Sequence, residues 1–130
     1  MSALTSVVTA SLTTGGIAVG VGVRPTTMGT KPFVVIWPDG GVRSDATMKT
    51  NDALAETWTC HCYGLTEESA GVALRKLTDA ILALQHTVVG GRRVRRPEQL
   101  TALPLTRDDD IDPPLFDLTV EWRLSTSTTS

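Results

Sequence analysis

The chain has 130 residues, a formal net charge of −2, 41% apolar residues and 5% aromatic residues. That length suits one ordinary domain and not two, and such a domain buries roughly two-thirds of the surface its unfolded chain exposes. The slightly acidic balance excludes a global field drawing the chain onto nucleic acid or an anionic membrane, and no run reaches the ~20 apolar residues of a membrane-spanning helix.

The start, Met1-Ser2-Ala3-Leu4-Thr5, lacks the basic and apolar regions of a signal peptide. Reduced thiols inside a cell are therefore the expectation. Leu4, Val7, Val8 and Leu12 stand at helical spacing in a Ser- and Thr-rich background, which predicts a short helix held by packing rather than by propensity. Gly15-Gly16 ends it. Ile17, Val19, Val21 and Val23 then alternate with Ala18, Gly20 and Gly22, a strand with one nearly bare face against which another element can lie close. These glycines do not form G-x-G-x-x-G, and no strand precedes them as a dinucleotide site requires.

Residues 24–32 read as a connector. Phe33-Val34-Val35-Ile36-Trp37 is apolar throughout, as a central strand covered on both faces would be. Pro38-Asp39-Gly40-Gly41 reads as a turn. Residues 42–52 are polar and irregular, with a short edge strand at most.

Residues 54–85 organise the rest. From Trp58 on, Trp58, Cys60 and Cys62 share one face, while Thr57, Thr59 and His61 share the other, the period of a half-buried strand. After Gly64-Leu65, Thr66 is placed as a helix N-cap, and Glu67 and Glu68 meet the positive end of the helix dipole. Ala70, Ala73, Leu74, Leu77, Ala80, Ile81 and Leu84 form a 3.6-residue apolar stripe.

Beyond the helix, Gly90-Gly91 permits a tight turn, and residues 92–96 read as an edge strand guarded by charge. Residues 97–104 read as a loop and 107–114 as a charged, proline-ended loop. In the last strand Phe116, Leu118, Val120, Trp122 and Leu124 face inward, with Asp117, Thr119, Glu121 and Arg123 outward. Residues 125–130, all Ser or Thr, are expected to be a flexible tail after a single domain of residues 1–124. The fold class expected is α+β: a mainly antiparallel or mixed sheet of about four to six strands, with two helices packed on one face.

Each reactive-looking motif has a plainer reading. Cys60-His61-Cys62 suggests zinc, but His61 points away from both cysteines in a strand, and His86 is the only other histidine. Zinc needs about four convergent ligands, so two core-facing thiols are expected and no metal site. His86, near a helix C-terminus, suits the negative end of the dipole. No G-x-S-x-G elbow is present, so no nucleophilic catalysis is read. Asp108-Asp109-Asp110 and Asp112 lack the ligand spacing, glycine and closing glutamate of a calcium loop. Arg92-Arg93-Val94-Arg95-Arg96 has no interleaved aromatic on which bases could stack. Taken together, the basic and acidic clusters suit head-to-tail contact between copies, which closes into a ring when the rotation allows.

Residues 32–41, Pro32-Phe33-Val34-Val35-Ile36-Trp37-Pro38-Asp39-Gly40-Gly41, resemble a strand and turn of the tail terminator (tail completion) proteins of long-tailed bacteriophages of siphovirus type. The resemblance continues through Thr59-Cys60-His61-Cys62-Tyr63-Gly64, Thr66-Glu67-Glu68 and the amphipathic helix. It ends with Arg107-Asp108-Asp109-Asp110, Pro113-Pro114 and the strand through Trp122-Arg123-Leu124, covering about residues 32–124. It implies an α/β sandwich and a non-enzymatic structural protein without cofactor. In that family a ring of six copies caps the finished tail tube, ends its polymerisation and offers the joining surface for the head.

The partners implied are further copies of the chain, the tail tube protein, a head-side connector or stopper, and genomic DNA passing through the lumen without sequence-specific binding; no membrane is involved. The location implied is the head–tail junction of a virion assembled in the host cytoplasm. The interface residues expected are Arg92, Arg93, Arg95, Arg96, Asp108, Asp109 and Asp110. Two alternatives stand beside this: another neck or tail tube component of the same machine, and a small DNA-binding module acting through the arginines.

Overall fold

In the computed structural model the described residues are 3–22, 32–43, 54–109 and 114–128. They form α1 (Ala3–Thr14), β1 (Ala18–Val21), β2 (Phe33–Arg43), β3 (Leu54–Gly64), α2 (Glu67–Leu82), β4 (Val88–Val89), β5 (Arg92–Val94), β6 (Glu98–Ala102), β7 (Thr106–Asp108) and β8 (Leu115–Thr128). One sheet takes up all eight strands in the order β1-β2-β3-β8-β5-β4, with β6 and β7 also paired to β8. β1 runs parallel to β2, and the other pairings are antiparallel.

Both helices cover one face. Leu4, Val8 and Leu12 of α1 and Ala73, Leu77 and Ala80 of α2 share one apolar cluster with residues of β2, β3 and β8. Trp58 lies at its heart, fully buried. The α+β class and the two helices on one face are as expected, and the strand count is higher. β4, β6 and β7 have two, five and three residues, too few or too polar to show a period of two; pairing with their neighbours makes them strands.

Local chemistry explains how the elements begin and end. α1 ends in a Schellman motif: Gly16 has φ 84°, Gly16 N donates to Thr13 O and Ile17 N to Leu12 O, and Leu12 and Ile17 are both buried beside it. Lys76 Nζ donates to Gly15 O at 2.6 Å, tying α2 to the electronegative end of α1. α2 begins as expected, with Thr66 Oγ1 accepting from Ser69 N at 3.0 Å and Ala70, Ala73, Leu77, Ala80 and Ile81 buried. Gly90 and Gly91, at φ 60° and 76°, close the β4–β5 hairpin in the left-handed conformation that such two-residue turns require.

Five expectations are corrected. In α1 the inward face takes Thr5 rather than Val7: Thr5 is buried and Val7 is 42% exposed, because the helix is rotated toward its neighbours. Residues 38–41 do not turn the chain; β2 runs on to Arg43 with a register shift between Asp39 and Val42. β1 pairs β2 only as far as Ile36, so among the described residues Pro38 has a neighbouring strand on the β3 side alone and its missing donor is tolerated. For the same reason Trp37 is 47% exposed, while Phe33, Val34, Val35 and Ile36 are buried. Residues 98–102 form β6 instead of a loop, because the long edge of β8 offers unpaired backbone groups there. Ser125 to Thr128 are not a flexible tail; they extend β8, Thr126 is buried, and β5 pairs with them.

Candidate functional site

Strand register divides the predicted basic cluster. Alternation along β5 turns Arg92 and Val94 toward the helix side and Arg93 away from it. Val94 is fully buried. Arg92 is half-buried and donates from Nε to Thr126 Oγ1 at 2.9 Å and from an Nη to Thr126 O at 3.2 Å. It is thereby a clamp between β5 and β8, with its charge held by the fold rather than offered to a partner. Arg93, Arg95 and Arg96 are exposed, and their side chains make no hydrogen bond or ion pair among the described residues.

The acidic cluster is at the other end of the same long strand. Asp108 ends β7, which pairs with Leu115 to Asp117 at the start of β8. Asp109 is exposed, and Arg107 Nε lies 2.8 Å from its Oδ1. In water such an exposed pair contributes at most ~1 kcal/mol. Arg107 also lies over the Phe116 ring at 5.9 Å. Asp110 lies outside the described residues. The two clusters are thus held apart by the length of β8, and among the described residues no contact within one copy joins them.

Cys60-His61-Cys62 splits as the strand period predicts. Both cysteines are buried in the helix-side core as free thiols. Burial pushes the Cys60 thiol up to about 12; Cys62 is also pushed well up, by burial first and then by the negative charges of Cys60 and Asp117. Among the described residues no group of three or more His, Cys, Asp or Glu could hold a metal ion.

His61 has partners the sequence did not announce. On the face opposite the helices, His61 Nδ1 lies 3.1 Å from Asp117 Oδ2 and 3.0 Å from Thr119 Oγ1, with Thr119 Oγ1 3.2 Å from Asp117 Oδ1. With Nδ1–H and the threonine hydroxyl both donating to the carboxylate, two of the three contacts are hydrogen bonds and the third, Nδ1 to Thr119 Oγ1, is a close approach between the two donors. The ring stacks on Tyr63 at 5.9 Å, and Tyr63 on Phe33 at 4.8 Å. This cluster fastens β3 to β8 on the open face. Only the outward position of each residue was legible beforehand; the pairing of His61 with Thr119 comes from register.

A shallow pocket of about 180 Å³ opens where the start of α1 meets the β4–β5 hairpin, lined by Ala3, Leu54, Glu56, Val89, Arg92 and Leu124 among others. Its walls are mainly apolar side chains, and its one basic side chain, Arg92, is already engaged with Thr126.

The sequence matches no family model and no curated protein. Among solved structures, the fold is similar to a chain of "Virion of native gene transfer agent (GTA) particle", with TM-score 0.60, 17% sequence identity, and coverage of 94% of this chain and 85% of that chain. At this identity the likeness is one of fold, and it extends over nearly the whole of both chains.

Proposed function

We propose that this chain is a structural protein of a phage-like virion. Within such a particle it serves as a tail terminator: a ring of copies that caps the tail tube, ends its polymerisation and gives the head-side connector a surface to join. The observation that carries the reading is the near-complete overlap of fold with a chain of a virion particle. The resemblance of residues 32–124 to tail terminators supports the finer assignment. The separation of basic and acidic clusters along β8 supports a heterologous, ring-forming contact, since neither cluster can satisfy the other within one copy. Arg93, Arg95 and Arg96 on one side and Asp108, Asp109 and Asp110 on the other are the proposed interface, with Arg92 supporting it from beneath. DNA crosses the ring's opening without sequence-specific contact.

Light scattering after size exclusion, and negative-stain images of the chain mixed with tail tubes, test the reading. Rings, or caps confined to tube ends, are expected. A chain that stays monomeric and never caps tubes refutes the terminator role. Spontaneous growth into long tubes makes it a tube subunit instead.

A further inference from the structure

The pairings fix where each charge stands along the strand axis. At one end of the sheet Gly64, Phe116 and Arg107 form a row across β3, β8 and β7. Thr66, Glu67 and Glu68 follow directly from that row, and Asp109 adjoins it. Glu67, Glu68 and Asp109 are all exposed. At the other end Leu54, Thr126 and Val94 form a row across β3, β8 and β5, with Arg93, Arg95 and Arg96 around it. The ten residue steps of β3 between these rows span about 33 Å, several Debye lengths at physiological salt. Among the described residues the charges named here are therefore segregated along the strands, acidic where β3 ends and basic where it begins. Among the described residues the counter-charges toward the basic end include Glu56, which accepts from Trp58 Nε1, Asp39, exposed opposite Thr57, and Glu98, which faces Arg123 across β6 and β8.

We propose that copies associate end to end along this axis, the basic end of one (Arg93, Arg95, Arg96) docking on the acidic end of a second copy (Glu67, Glu68, Asp109). The occupant is a second copy because the two ends of one chain are complementary in sign and cannot meet each other. The inference rests on the ring reading and refines it. It brings the first turn of α2 into the contact, removes Arg92 from it, and sets the strands along the direction of association, tangential to the ring.

The test uses two full-length variants: Arg93→Glu with Arg95→Glu, and Glu67→Lys with Glu68→Lys and Asp109→Lys. Circular dichroism checks that each is folded, and sedimentation velocity at low salt measures association of each alone and of the two mixed. Each variant alone brings like charges together and should associate at least about tenfold more weakly than the parent. The mixture restores opposite charges at every contact when the variants alternate, so it should assemble again. A parent that assembles while both variants assemble equally well overturns end-to-end pairing and leaves the ring reading standing. A parent monomeric at low salt, even with tube ends present, overturns both. If the arginine variant instead loses salt-dependent binding to random-sequence duplex DNA while its self-association is unchanged, the arginines serve phosphate and the pairing is wrong.

Discussion

Gly64 and Gly71 make opposite predictions for the same substitution. At Gly64, where β3 hands over to α2, an added Cβ would stand 2.5 Å from Ala70 N, 2.6 Å from Ser69 Cβ and 2.8 Å from Ser69 C. Two of these are backbone atoms in the first turn of α2, which no side-chain rotation can move. That turn is held by Ser69 N to Thr66 Oγ1 at 3.0 Å and Ala70 N to Thr66 O at 3.1 Å. Making room therefore pushes the helix start away from the sheet and loosens its cap. Overpacking costs typically 1–3 kcal/mol and a lost N-cap about 1, so Gly64→Ala should destabilise by ~2–4 kcal/mol. At Gly71, inside α2, an added Cβ meets nothing within 4 Å. Alanine should there gain about 0.5–1 kcal/mol from helix propensity. Urea unfolding followed by circular dichroism measures both, with the midpoint moving in opposite directions and the slope unchanged. Equal stability of Gly64→Ala and its parent, or shifts of the same sign at both positions, would refute the close approach of β3 to α2.

Other expectations follow from single sites. Arg92→Ala should cost about 1–2 kcal/mol through its lost bonds to Thr126, while Arg93→Ala should stay within about 0.5 kcal/mol of the parent; thermal melts separate them. His86 is held at φ 67°, so His86→Gly should raise stability by roughly 0.5–1 kcal/mol despite lengthening the list of unfolded conformations. Thr9 Oγ1 is buried with no partner among the described residues, and Thr9→Val should be neutral or stabilising by up to about 1 kcal/mol. Cys60 and Cys62 should resist a thiol reagent at pH 8 in the native state and react on unfolding, since the folded protein keeps both thiols protonated. The same shift makes stability pH-dependent. Stability from Cys60 is complete below the unfolded value near 9 and is lost as pH rises toward about 12, at about 1.4 kcal/mol per pH unit. Cys60→Ala should flatten that alkaline decline in pH-dependent melts.

The sequence by itself determined the elements whose side chains carry a repeating pattern. Trp58, Cys60 and Cys62 alternate, Ala70 to Leu84 repeat every 3.6 residues, and Phe116 to Leu124 alternate again; all three read correctly because burial of one face selects such patterns. Thr66 and Gly90-Gly91 were legible too, since a cap and a left-handed turn depend on a few adjacent residues. What only the tertiary structure decided is whatever depends on a distant neighbour. β6 is a strand because β8 lies beside it, and Pro38 lies in a strand because β1 stops before it. Arg92 and Arg93 are consecutive in the chain, yet one is a clamp and the other is open to solvent, and His61 meets Asp117 across 56 positions. Register joins such residues, and register is set by the packing of the whole sheet against its helices, which no local window of residues contains.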